Sequence, residues 1–182
     1  MNTFNHLRCA GVLAQAALAV ASAAVAGVPF GDEPVPDTLR ADAGVRALTT
    51  LAASGVQIYE CRRSAADAPP AWAFVAPEAE LFDRQGRRVG SHGAGPSWAD
   101  DDGSRIVGSV QARAEAPRAD ALPWLLLATR SAAGPGRLSA VTQVQRIHTV
   151  GGLAPASGCT ASTLTQQIRV PYRADYRLFV PA

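Results

Sequence analysis

Val141-Thr-Gln-Val-Gln-Arg-Ile-His-Thr-Val150 is the longest β-branched run in the chain. Val144, Arg146, His148 and Val150 fall on one phase, and Gln145, Ile147 and Thr149 on the other. A period of two over so many residues belongs to a strand, not a helical stripe. Val141 fits the later phase poorly. The run decides the fold class because its flanks repeat the pattern. Downstream, Gly151-Gly152 and a small-residue loop lead to Cys159, and residues 168–179 predict a final strand broken at Pro171. Upstream, Gly134-Pro-Gly136 turns the chain after Trp124-Leu-Leu-Leu-Ala-Thr129, an apolar stretch without alternation. Such a stretch is a strand buried on both faces or a short buried helix started by Pro123.

Working further back, Asp102-Gly103 is a tight-turn signal leading into a strand over residues 104–112. There Ile106 and Val110 are expected to face one way and Arg105, Val107 and Gln111 the other. Residues 88–92 should pair back on residues 81–83 across the Gln85-Gly86 turn. Residues 71–75 and 79–83 predict two strands separated by Pro77. Residues 45–53 fit a strand about as well as a helical face; the Ser54-Gly55 turn and the alternating Val56-Gln-Ile-Tyr-Glu-Cys61 favour a hairpin. Val56, Ile58 and Glu60 then share one face, and Gln57, Tyr59 and Cys61 the other. The expectation is an all-β sandwich or partly closed barrel of about 8–10 short, mostly antiparallel strands with minor helix.

The ends and the composition narrow the class. Residues 1–26 have the form of a cleaved signal peptide: His6 and Arg8, an uncharged run over residues 10–25, then Ala24-Val25-Ala26. The run is short for a span of about 20 residues. Residues 27–44 suit an extended leader over the domain surface, and residues 45–182 a single β domain. Secretion or a periplasmic location follows, with no membrane insertion after processing. The formal charge of +2 falls to about +1 without Arg8. Scattered arginines give no case for nucleic acid, no cofactor is expected, and the oligomeric state is left open. The chain contains no lysine, which excludes Schiff-base catalysis, a Walker lysine and a lysine-activated serine. Cys61 and Cys159 remain after processing, and two cysteines in an exported chain usually pair.

Residues 86–104, Gly86-Arg-Arg-Val-Gly-Ser-His-Gly-Ala-Gly-Pro-Ser-Trp-Ala-Asp-Asp-Asp-Gly-Ser104, concentrate the chemistry. Two histidines in the mature chain cannot make a three-histidine zinc site, leaving His92, His148 and Asp102 as a weak metal set. Aligning Gly103 with the sixth position of an EF-hand puts Trp98 first and Ser109 last, so calcium in that form is excluded. Gly95-Pro-Ser97-Trp-Ala99 falls one residue short of a nucleophile elbow, and no strand-to-helix turn surrounds it. Ser97 with His148 and Asp175 stays open only geometrically. Glu78, Glu80, Asp83 and residues 100–102 supply carboxylates, but nothing fixes the separation that glycoside hydrolysis needs. A loop-borne Trp98 among small residues suits either a platform for a carbohydrate or an aromatic compound or a plug folded back into the end of the sandwich, whereas Trp72 and Trp124 suit the core. The ligand candidates are Arg88, His92, Trp98, Asp100, Asp102, Arg146 and His148, with Gly93, Gly95 and Gly103 shaping the loop. An exported small-ligand binding module is the leading expectation. A hydrolase or metal-assisted enzyme using His92, His148 and an aspartate, or a structural envelope protein, are the alternatives.

Gly55-Val-Gln-Ile-Tyr-x-Cys61, Gly90-x-His92, Gly95-Pro-x-Trp98 and Asp102-Gly-Ser104 resemble an exported family of bacteria and fungi catalogued as domain of unknown function 3455. The likeness continues through Pro123-Trp-Leu-Leu126, Gln145-Arg-Ile-x-Thr149, Gly151-Gly-x-Ala-Pro155 and Pro171-Tyr-x-Ala-x-Tyr176. It implies export, one domain and a Cys61–Cys159 bond, and no activity. Gly93 departs from a position that often carries a larger apolar residue, which implies a more open pocket.

Overall fold

The computed structural model describes residues 33–182. The expected signal peptide, Cys9 and the first part of the leader lie outside the described residues. Eight strands follow in order: β1 Val45–Arg62, β2 Ala71–Phe82, β3 Arg88–Gly93, β4 Ser97–Asp100, β5 Arg105–Ala114, β6 Trp124–Ala133, β7 Gln143–Gly151 and β8 Gln167–Pro181. Each pairs antiparallel with its sequence neighbours, and β8 closes on β1, giving a closed ring. Helix is confined to two 3-10 turns, Asp37–Leu39 and Ala161–Thr163. The expected all-β class holds, and of the two architectures the closed one is found.

The eight strands fall within the expected number but several are longer than expected, for reasons that lie in single residues. Ser54-Gly55 is no turn: β1 runs straight through it. A Cβ at Gly55 would lie 2.1 Å from the Glu78 carbonyl oxygen, so the glycine serves close approach of β2 rather than reversal. Pro77 likewise sits inside β2, opposite Gln57. Ladder pairing of β3 reaches only residues 79–82 of β2, so Pro77 has a strand on one side alone, where a missing N–H is tolerated. Pro171 lies within β8, just past the end of its pairing with β7 at Tyr172. Residues 88–92 do pair back on β2, with Ala79 opposite His92.

The alternation in β1 is as expected, Gln57, Tyr59 and Cys61 being the buried face. In β5, Ile106 is buried but Val110, on the same unbroken phase, is exposed, because β4 pairs only with residues 105–107 and leaves this part of β5 without a neighbour on that side. The apolar stretch of β6 is a strand buried on both faces. Leu127 enters the interior cluster with Leu51, Leu81, Trp98, Ile106 and Leu178. Trp124 and Leu126 instead join Ile147 and the fully buried Leu39 in a second cluster. Residues 33–44 run over the outside of this wall, tied by Gln145 Nε2 donating to the Leu39 carbonyl (2.6 Å) and the Asp42 N–H donating to Gln143 Oε1 (2.9 Å). The Cys61–Cys159 disulfide is present, with Cα atoms 5.3 Å apart. Trp72, expected in the core, is only partly buried and donates to the Ser157 carbonyl (2.9 Å).

The short β3–β4 hairpin leaves the ring incomplete at one level. It pairs with residues 79–82 of β2 and 105–107 of β5. Above it, the two edges run on without a strand between them, carrying exposed Phe74 and Val75 on β2 and Val110 on β5. No helix among the described residues is long and apolar enough to cross a membrane.

Candidate functional site

Period-two geometry puts His92 of β3 and Trp98 of β4 directly opposite each other on the inner face of the ring. Their rings stack at 4.8 Å between centroids with 26° between planes. Tyr176 of β8 closes the group, 4.8 Å from His92 and edge-on to Trp98 at 5.4 Å. Trp98 is fully buried, as in the folded-back alternative and not as an exposed platform. The small residues around it make room for the indole: a Cβ at Gly108 would stand 3.0 Å from Trp98 Cζ3. Gly95 and Gly103 do shape turns, with φ of 111° and 91°. Gly93 lies at the end of β3, where an added Cβ would meet only Ser97 Oγ at 3.9 Å.

His92 Nδ1 donates to the Ser97 carbonyl (2.8 Å), which leaves the lone pair on Nε2. Burial, opposed by the bond to Ser97 and aided by the Arg146 charge, pushes its imidazole from the usual 6.5 down to about 4. The folded state therefore holds His92 neutral where the unfolded chain would take a proton. Stability contributed by neutral His92 is complete above pH 6.5 and is lost as the pH falls from 6.5 towards 4. The loss amounts to about 3 kcal/mol at 1.36 kcal/mol per unit. Urea unfolding between pH 7 and pH 4 should show this fall in the wild type and a shallower one in His92→Gln; parallel curves would contradict it.

Beside the aromatic group lies a cavity of about 220 Å³. Leu125 and Leu127 of β6 form an apolar wall, and Phe74, Val75 and Pro96 stand at the gap above the β3–β4 hairpin. Gln57, Trp98 and Arg146 add polar atoms. Trp98 Nε1 is buried and makes no hydrogen bond, and Gln57 Nε2, buried beside it, faces the Tyr172 hydroxyl. Arg146 donates through Nε and Nη2 to the Pro123 carbonyl (3.2 and 2.8 Å). Burial pushes the hydroxyls of Tyr59, Tyr172 and Tyr176 up, against the lowering effect of Arg146 on each.

Of the residues expected to form a site, His92, Trp98 and Arg146 come together, and the others do not. His148 shares a phase with Arg146 in the sequence, but the β7–β8 register shifts between Ile147 and Val150, and His148 takes φ 49°. Its ring turns to the outer wall, against Trp124. There Nδ1 meets Asp175 Oδ2 (2.8 Å) and Nε2 meets the Glu33 carbonyl (3.3 Å). With both nitrogens engaged, His148 cannot serve Ser97, whose Oγ accepts from Arg105 (3.1 Å). The carboxylates are fasteners. Asp100 takes the Arg137 Nε (2.7 Å), and Asp102 accepts from the Ser104 N–H (2.8 Å) and the Arg137 N–H (2.7 Å). The Arg137 backbone N–H bond, with the two from Ser104, holds the Asp102 carboxyl down to about 2. Arg88 bridges Glu80 and Asp101 at the surface. His92, His148 and Asp102 thus do not converge, and among the described residues no three His, Cys, Asp or Glu are grouped to hold a metal.

Sequence reasoning missed Gln57, Tyr176, Leu125 and Leu127. Gln57 carried a usable signal, a long polar side chain sharing a face with Tyr59 and Cys61, and Tyr176 falls in period with Tyr172 and Ala174.

No curated protein and no solved structure matches the chain. Residues 42–180, which span the whole ring and its disulfide, match the family described as "Protein of unknown function (DUF3455)", and the chain belongs to that family.

Proposed function

We propose that the chain is an exported binding module that holds a small aromatic compound in the cavity beside His92, Trp98 and Tyr176. One observation carries this reading. Trp98 Nε1, a buried donor, lines an aromatic and aliphatic cavity with no protein acceptor, beside Gln57 Nε2, which faces the Tyr172 hydroxyl. A buried donor left unpaired costs about 1–3 kcal/mol, and a bound acceptor would recover that. The size agrees, since an apolar cavity of about 150 Å³ holds benzene and this one measures about 220 Å³. Aromatic walls suit a flat unsaturated ring better than a carbohydrate, whose several hydroxyls would need more partners than the two donors and Arg146 offer. The Cys61–Cys159 bond fits an oxidising compartment, so export is part of the proposal, with the periplasm or the exterior as its place.

Titration calorimetry with cinnamyl alcohol, a neutral flat probe, tests the cavity. Binding to the wild type is expected, with at least a tenfold loss in Leu125→Trp, which fills the space from its wall. Absence of binding, or equal binding by the variant, would remove the cavity as the site.

A further inference from the structure

Arg146 lies on the inner face of β7, opposite Leu125 of β6 and Tyr176 of β8. Among the described residues it is the one formally charged residue lining the cavity, and no carboxylate among them forms a salt bridge with it. The carboxylates nearest in sequence pair elsewhere: Asp120 with Arg118, Asp175 with His148 on the outer wall, and Glu115 with Arg113. The guanidinium has five N–H donors in a planar fork. The Pro123 carbonyl takes two, and the Tyr176 hydroxyl feels the same guanidinium. Neutral oxygens satisfy hydrogen bonds but leave the charge uncompensated. A partly buried cation normally has a partner of opposite sign, because an unpaired charge away from water is costly.

We infer that the cavity's ligand is an organic anion, a flat unsaturated or aromatic carboxylate whose head lies on Arg146 and whose ring lies along His92, Trp98 and Tyr176. The inference rests on the cavity being a binding site and adds the charge and orientation of what it holds. The fork of Arg146 matches a carboxylate geometrically. Gln57 Nε2 supplies a further donor from the same inner face, and no acid lines the cavity to repel an anion. The neighbourhood already feels the charge: Arg146 disfavours protonated His92 and favours ionised Tyr59, Tyr172 and Tyr176. At neutral pH the interior is therefore a neutral aromatic box with one positive corner. The volume of about 220 Å³ exceeds that of a cavity holding benzene by enough for a carboxylate and a short unsaturated link.

Calorimetry at pH 7 comparing trans-cinnamate with cinnamyl alcohol separates this inference from the cavity reading. Cinnamate is expected to bind the wild type about tenfold to a hundredfold more tightly, the range for a hydrogen bond to a charged group. In Arg146→Met the ratio of the two affinities should fall to about one. Arg146→Lys, which keeps the charge and loses the fork, should retain part of the preference and guards against a folding defect in the methionine variant. Equal affinities for the two probes in the wild type would overturn the anion while leaving the cavity standing. Binding of neither probe would overturn both.

Discussion

Trp98→Ala is expected to destabilise the protein by about 3–5 kcal/mol, the range for removing a fully buried large aromatic side chain. In a domain of this size that lowers the melting temperature by about 10 °C. The indole is completely buried and packs on His92 and Tyr176 from β3 and β8. Its loss therefore detaches the β3–β4 hairpin from the far side of the ring, and Gly108, which has no side chain, cannot fill the space. Trp98 Nε1 has no hydrogen-bond partner, so Trp98→Phe leaves no new unpaired group and should recover most of the loss. Thermal unfolding of the two variants checks the argument. A Trp98→Ala protein that melts with the wild type would mean that the ring stack contributes nothing to the fold.

Replacing both cysteines, as Cys61→Ser with Cys159→Ser, is expected to cost about 2–4 kcal/mol. The bond joins residues 98 apart in sequence, for which the chain-entropy estimate approaches 4.7 kcal/mol as an upper value. Measured losses commonly fall below that value, and in the folded protein backbone bonds keep the loop on the end of β1 without the disulfide. The Cys61 N–H donates to the Gln166 carbonyl, and the Thr165 N–H to the Cys61 carbonyl, both at 2.9 Å. Urea unfolding of the double variant and of the reduced wild type should give the same lowered midpoint. A midpoint unmoved in either would assign the ordering of this loop to the backbone bonds alone.

Local periodicity made the β-class legible, and the same periodicity failed wherever a residue acted over a distance. The alternation of residues 56–61 identified the inner face of β1 correctly, because a strand with one buried face displays its phase directly. Residues 124–129 showed burial on both faces for the complementary reason: Leu127 serves the interior and Trp124 and Leu126 serve the outer cluster. Gly55 and Pro77 misled because glycine and proline also occur where strands approach closely or lack a neighbour. Trp98 was left open between platform and plug because small neighbours look like a loop in one dimension and like space for a ring in three. The Asp100 to Asp102 turn looked like a presented set of ligands because its main partner, Arg137, is 35 residues beyond Asp102. His148 was lost to a register shift that leaves no mark in the hydrophobic pattern. The pairing of Arg146 with His92 and Trp98 across the ring was not legible at all, since it depends on how β8 closes on β1.

The segment over the outer wall rests on the same two strands that wall the cavity. Leu39 packs against Trp124, Leu126 and Ile147, and the residues alternating with these, Leu125, Leu127 and Arg146, line the cavity. Side chains on the two faces of β6 and β7 share one backbone, so a displacement on one face is felt on the other. The seating of Leu39 outside the ring and the shape of the cavity wall inside it are therefore set by the same two strands, and under the proposed binding function a ligand and the leader would be linked reciprocally through them.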